Sequence, residues 1–421
     1  VFGYGVSSGR HPHGTPRRAS SEGQALRISL VTETYPPEIN GVAVTVARLV
    51  EGFLAEGHRV DLIRPRQPGV DGPRRVSGLE APSRPDPSPG LSVHTTPGMV
   101  IPGYSGLRMG LPMPGRLRAL WRARRPDLVH IATEGPLGWS ALRVARAEGL
   151  PVVSEFRTNF HAYSAHYGFG LLRPWVLGYL RRFHNRCATT MVPTEGLAGD
   201  LQALGFERLR VVARGVDSRR FDSARRSTSL RAFWGAGPGD LVAISVGRIA
   251  PEKNLELLVE AYGRMSSIRP GMRLVIVGDG PSRPRLEAAL PGAIFVGRRT
   301  GEDLATHYAS ADLLLFPSLT ETFGNVTLEA MASGLAVVAF DYGAAGSMVA
   351  SAVHGWLAPY GDSRMFLGLV ELAAGDPGRV RHCGREARRR AESLSWERIV
   401  GEVLAIHREA LQAAGRPAAA G

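Results

Sequence analysis

The first apolar run, residues 26–32, alternates and then becomes continuous; a loop rich in Pro and Gly follows at 35–41, then apolar positions at helical spacing over 42–56. Strand, loop and helix in that order open a Rossmann-like unit. Residues 59–64 read as a second strand, and the Pro/Gly/Ser-rich stretch 65–90 reads as a long loop. Further units follow, with 128–131 leading into a helix over 136–148, 151–155 into a loop and helix, and 189–193 into a helix over 196–205, ending near Gly215. A second series begins at 241–246, has a helix over 255–265, and continues with strands at 273–277, 293–296, 312–316 and 336–340. Residues 396–414 carry Ile399, Val400, Val403, Leu404, Ile406 and Leu411 at helical spacing and close the chain as a helix.

The pattern predicts an α/β protein with two doubly wound domains, 26–215 and 216–395. Length agrees, because 421 residues exceed the roughly 250–300 that one hydrophobic core sustains. Residues 1–25 are rich in Gly, Ser, Pro and Arg, with no apolar run of signal-peptide length, and read as a disordered leader outside the fold.

Charge narrows the partners. With 51 Lys+Arg against 38 Asp+Glu the net charge is +13, which favours anionic ligands. No helix-turn-helix, zinc-finger spacing or aromatic-interleaved basic strand is present to read bases, so nucleic acid is not an expected partner. A phosphate-bearing ligand and an anionic membrane face fit better. Only Cys187 and Cys383 occur, in no ligand cluster, which points to a reducing cytoplasm and away from a structural metal. No apolar run of spanning length occurs, leaving peripheral contact as the membrane option. Residues 116–125 and 171–186 mix aromatic and aliphatic residues with arginines. The ordinary explanation is an apolar face packed on a sheet beneath solvated arginines; contact with an anionic membrane is the alternative.

The richest stretch is Pro317-Ser-Leu-Thr-Glu-Thr-Phe-Gly-Asn-Val-Thr-Leu-Glu-Ala-Met-Ala-Ser-Gly334, a loop leaving a strand and entering a helix. Ligands of open α/β sheets bind where such loops lie, beyond the carboxyl ends of the strands. Amides at the start of that helix, around Phe323, Gly324, Asn325 and Val326, favour a phosphate or developing negative charge. Earlier, Ser245-Val-Gly-Arg-Ile-Ala-Pro-Glu-Lys-Asn254 follows a strand and brings Gly247, Arg248 and Lys253 together, two cations suited to a diphosphate. Val277-Gly-Asp-Gly-Pro281 and Phe295-Val-Gly-Arg298 end later strands, and their glycines require close backbone approach to something. In the first half, Pro36-Pro-Glu-Ile-Asn-Gly-Val42 forms a turn in which Asn40 tolerates a left-handed conformation.

These words together resemble the family-four retaining glycosyltransferases of GT-B fold, over about residues 26–400 and most strongly over 241–350. Glu321 and Glu329 match its Glu-x7-Glu signature; alone, two glutamates at that spacing would be solvated carboxylates. The resemblance implies two Rossmann-like domains facing across a cleft, an acceptor-binding first domain and a donor-binding second one. It implies that the last helix packs back on the first domain. Glu321 would face the donor sugar and Glu329 the nucleotide ribose, with Thr322 in the same loop. Arg248 and Lys253 would neutralise the leaving diphosphate without a metal, and no cofactor is implied, the nucleotide sugar being a substrate. Gly278, Val296, Gly297 and Arg298 would line the base and ribose pocket, and Asn40 and Gly41 would approach the diphosphate from the opposite side. Where relatives carry Phe-His-Thr, this chain has Phe156-Arg157-Thr158, so either Arg157 or the later His161 takes the histidine's role. His130 and Glu134 are candidates for the acceptor side.

The stretch 158–168 is also similar to GDP-mannose-dependent α-mannosyltransferases and sulfoquinovosyl transferases. That similarity implies mannose from GDP-mannose, a lipid or glycan acceptor, and action at the cytoplasmic membrane face. A UDP-sugar donor, an epimerase or phosphorylase of the same fold, and a non-catalytic nucleotide-sugar sensor or membrane adaptor stay open.

Overall fold

Strands that are apolar on both faces need helices above and below, the demand of a parallel sheet. The computed structural model describes residues 24–38, 40–67, 71, 89–100, 108–157, 173–320 and 323–415. In the first half it places β1 (Arg27–Val31), β2 (Arg59–Pro65), β3 (Leu91–Thr96), the antiparallel ribbon β4 (Gly98–Val100) and β5 (Arg108–Gly110), then β6 (Leu128–Ile131), β7 (Val152–Glu155), β8 (Thr189–Val192) and β9 (Leu209–Val211). Seven of these form one parallel sheet in the order β3-β2-β1-β6-β7-β8-β9. The second half holds β10 (Val242–Val246), β11 (Arg273–Val277), β12 (Ile294–Gly297), β13 (Leu313–Phe316), β14 (Ala336–Phe340) and β15 (Gly355–Ala358). They form a parallel sheet ordered β12-β11-β10-β13-β14-β15.

Because successive side chains alternate across a strand, Ile28 and Leu30 face one core while Val31 faces another. The first core is closed by the helix Gly41–Ala55 and by Trp396–Ala413, whose Ile399, Val400, Val403, Leu404, Ile406 and Leu411 are all buried there. These two helices touch at Gly52, where a Cβ would lie 2.3 Å from a Val400 methyl. The chain therefore crosses between the halves twice. The crossings lie side by side: the Val216 amide donates to Leu394 O at 2.9 Å, and Val216 forms an isolated parallel bridge with Ser395. Gly215 leaves room for Trp396, 2.8 Å from the position a Cβ would take.

In each sheet the order reverses beside the first strand of that half, β1 and β10. Loops diverge to opposite faces at such a point and leave a crevice. The two crevices hold the loops after β1 and β10, and they face one another.

The basic segment 116–125 follows its ordinary explanation. On the helix Pro114–Ala123, Leu117 and Trp121 are buried, Trp121 Nε1 donates to Ser29 Oγ at 2.9 Å, and Arg118 and Arg122 pair with Glu148. The helix Arg173–His184 buries Leu180 and Phe183 but leaves Trp175 78% exposed. No helix among the described residues is long and apolar enough to cross a membrane.

Candidate active site

β10 ends at Val246, and the loop that follows from Gly247 is locked to the next strand's end. Gly247 N donates to Val277 O and Ile249 N to Asp279 O, both at 3.0 Å. Gly278 and Gly280 are the price of this contact: a Cβ at Gly278 would stand 1.8 Å from Gly247 O, and one at Gly280 2.3 Å from Ile249 O. Their close neighbour is thus the basic loop itself. Gly278 N in turn donates to Gly297 O at 2.9 Å, so β12 joins the same ladder; Val296 there is half-buried and Arg298 is exposed.

The loop continues through a 3-10 turn at Pro251–Lys253 to Asn254, which adopts a left-handed φ of 54°. Asn254 Nδ2 donates to Pro317 O at 3.3 Å, and Thr320 Oγ1 donates to Glu252 O at 3.1 Å. The basic loop and the loop after β13 are thereby stitched into one wall. A recess with about 390 Å³ of empty volume opens there, lined by Gly247, Arg248, Lys253, Pro317 and Ser318. Arg248 is 62% exposed and 3.9 Å from Glu252, a solvent-screened pair that leaves it usable by an incoming anion.

Beyond that wall, the helix Asn325–Ala332 begins after Gly324 at φ 95°, and its first turn has neither a side-chain cap nor an acidic residue. Such a start favours an anion through its amides and dipole. Phe323 is buried beneath it. Glu329, further along the helix, accepts from Tyr308 Oη at 3.1 Å; burial pushes its carboxyl up to about 7, against the lowering effects of Tyr308 and Arg220. A carboxyl so poised can accept from or donate to a sugar hydroxyl. Glu321 and Thr322 lie outside the described residues, as does His161.

Across the cleft, Asn40 departs from expectation. Its φ of −148° is extended, not left-handed, because its side chain caps the helix Gly41–Ala55 by accepting from Ala43 N at 2.8 Å. Gly41 then stands beside Arg214 of its own half and against Asn325 of the other, its Cβ position 3.5 Å from Arg214 Nη1 and 3.8 Å from Asn325 Nδ2. Arg214, 8% exposed, reaches Asn325 Oδ1 at 3.3 Å and stacks 5.2 Å from the Phe323 ring centre.

On the same side Arg157, 8% exposed, forms an ion pair with Glu155. His130 lies away from the surface of the cleft. It is fully buried in β6, bonded to Glu155 at 2.8 Å and His407 at 3.2 Å, and so cannot touch an acceptor. Glu134 lies on the cleft side of β6 with its carboxyl raised to about 7, chiefly by burial. Glu33, which the sequence reading did not select, has its carboxyl raised to about 7 by burial although Leu137 N donates to it at 3.0 Å. Its signal was its place just past β1.

Raised carboxyls of this kind make stability depend on pH. A carboxyl whose pKa rises from 4.5 to about 7 adds stability below the lower value that is lost as pH climbs through the upper, on the order of 3 kcal/mol. Urea unfolding at a series of pH values is expected to show wild type losing stability between pH 5 and 8 relative to Glu134→Gln. A constant difference between the two would contradict the assignment.

Two Rossmann-like parallel sheets with their loop crevices opposed define the GT-B fold. Residues 39–220 match the family described as Glycosyltransferase Family 4, and residues 240–373 match Glycosyl transferases group 1. The chain is 34% identical over 395 residues to a GDP-mannose-dependent alpha-mannosyltransferase of Mycobacterium tuberculosis, covering 92% of this chain and 97% of that one. It is 30% identical over 391 residues to that organism's GDP-mannose-dependent alpha-(1-6)-phosphatidylinositol dimannoside mannosyltransferase, covering 90% and 95%. Among solved structures, a sucrose-phosphate synthase from Thermosynechococcus elongatus superposes with a TM-score of 0.72 at 20% identity, covering 92% of this chain and all of that one. The chain belongs to glycosyltransferase family 4.

Proposed function

We propose that this enzyme transfers mannose from GDP-mannose, with retention and without a metal, to a lipid or glycan acceptor at a membrane face. The observation that carries the reading is the wall made by the basic loop and the start of the helix Asn325–Ala332, with Gly41 opposite. A nucleoside diphosphate placed there meets Arg248, Lys253 and the helix amides. The bond between the anomeric carbon and the phosphate oxygen breaks as the acceptor oxygen forms its own bond on the same face, and the acceptor proton passes to the departing phosphate. Arg248 and Lys253 stabilise the charge that develops on it. Glu329 holds the ribose, Glu321 the donor sugar, and Arg157 takes the place of the family histidine.

The two mannosyltransferase relatives support the donor, and the inositol-lipid substrate of one supports a lipid acceptor. The outward Trp175 and the exposed Arg181 and Arg182 of the same helix support approach to an anionic surface. Thermal unfolding with GDP, UDP, ADP and their sugar conjugates, with and without magnesium, tests the reading. GDP is expected to stabilise equally with and without metal, by about 2.7 kcal/mol at a hundred times its Kd. Stabilisation by UDP alone would move the donor to a UDP-sugar; a requirement for magnesium would overturn the metal-free mechanism.

A further inference from the structure

We propose that Glu155, held by His130 and through it by His407 of the last helix, positions Arg157 at the cleft, so that the closing helix of the chain sets the catalytic competence of the site. The proposal rests on the reading that Arg157 serves the donor sugar.

Burying a guanidinium is costly unless a partner is fixed in place. Arg157 is 8% exposed, its Nε has no hydrogen-bond partner among the described residues, and the charges that hold its guanidinium are Glu155, its ion-pair partner, and then Glu134. Glu155 closes β7 and needs its own support. Burial alone would raise its carboxyl, but the Arg157 charge, with His130 and Arg214, holds it below the usual range. It is a carboxylate, and it accepts from His130 Nε2 at 2.8 Å.

That bond fixes the rest. With its proton on Nε2, a neutral His130 presents Nδ1 as an acceptor, and the partner at 3.2 Å is His407 Nε2. Both rings are fully buried. The hydrogen bonds therefore run one way, from the last helix to His130 in β6, to the carboxylate at the end of β7. From there the ion pair reaches the arginine in the cleft.

His407 Nδ1 ends this chain without a partner among the described residues, against Phe53 at a ring distance of 5.4 Å. Leucine at 407 would remove that orphan while leaving His130 Nδ1 as a new one, so the number of unsatisfied buried acceptors is unchanged. A purely structural role predicts little from that exchange; a positioning role predicts a loss of turnover without a loss of stability. At the other end, the Arg214 charge also lowers the Glu155 carboxyl, and Arg214 reaches Asn325 of the second half at 3.3 Å.

The test measures release of nucleoside diphosphate from GDP-mannose, or from UDP-glucose if the thermal series selects uridine, together with the unfolding midpoint. His407→Leu is expected to lower kcat about tenfold, with donor KM within about twofold and the midpoint within a few degrees. His407→Gln, whose amide can donate from the place of Nε2, is expected to recover most of the loss. Glu155→Gln is expected to lower kcat about a hundredfold. Wild-type kcat in His407→Leu, alongside a deficient Arg157→Ala, overturns the array and leaves the reading of Arg157 standing. An Arg157→Ala enzyme with unchanged kinetics overturns both. Equal loss in the Leu and Gln variants, with a lowered midpoint, assigns His407 to packing and also overturns the array.

Discussion

Lys253→Ala is expected to lower kcat by a factor of about 100 to 1000 while the fold survives, the usual scale for deleting one group that stabilises developing charge. The residue sits at the end of the Pro251–Lys253 turn, on the wall of the recess below the β10 loop, where a leaving diphosphate would meet it. Arg248, on the same wall, keeps part of the stabilisation, so the variant should retain measurable activity and the Arg248→Ala, Lys253→Ala pair should lose more. Far-UV circular dichroism and the unfolding midpoint provide the folding control. Unchanged kcat/KM in Lys253→Ala would remove the diphosphate from this wall.

Gly278→Ala is expected to be among the most damaging single substitutions, costing about 3 kcal/mol or more. Its φ of 147° is unfavourable for any L side chain, and the added Cβ would meet the carbonyl of Gly247 at 1.8 Å. Backbone on both sides leaves no flexible group to yield, so the loop carrying Arg248 and Lys253 must move. Stability and nucleotide-induced stabilisation should therefore fall together. Gly263→Ala is the matched control: it lies in the helix Leu255–Ile268 with nothing within 4 Å of the added carbon. Alanine there should stabilise by up to about 1 kcal/mol through helix propensity. Equal outcomes for the two variants would show that close approach at Gly278 does not govern the loop.

The alternation and runs of apolar residues were enough to place the central strands of both sheets, because a strand buried on both faces has a composition that a loop does not share. β3, β9 and β15 escaped that reading. β3 and β9 are edge strands with few fully buried positions, and β15 carries a glycine where β14's backbone comes close, so none shows a clear period. The basic loop and the helix entrance were legible because their chemistry is local, carried by residues a few positions apart. His130 was not, since its role depends on His407, 277 positions along the chain. Arg214 and Glu33 were missed for a related reason: single charged residues at strand ends look alike until burial and neighbours are known. Asn40 gave the correct turn for the wrong cause, capping a helix where a left-handed backbone was expected.

The paired crossings at Val216 and Ser395 have a mechanical meaning. Two connections set far apart would brace the halves like a frame, and any rotation would have to break contacts at one of them. Here the two strands pass within a single hydrogen bond of each other, so both links share one axis and the second half can swing as a door does on one post. The cost of opening then falls on contacts away from that axis, such as those that Asn325 makes with Arg214 at 3.3 Å and with Gly41. A donor spanning the cleft would replace those contacts with its own, which makes the swing responsive to occupancy while the closing helix stays seated on the first half.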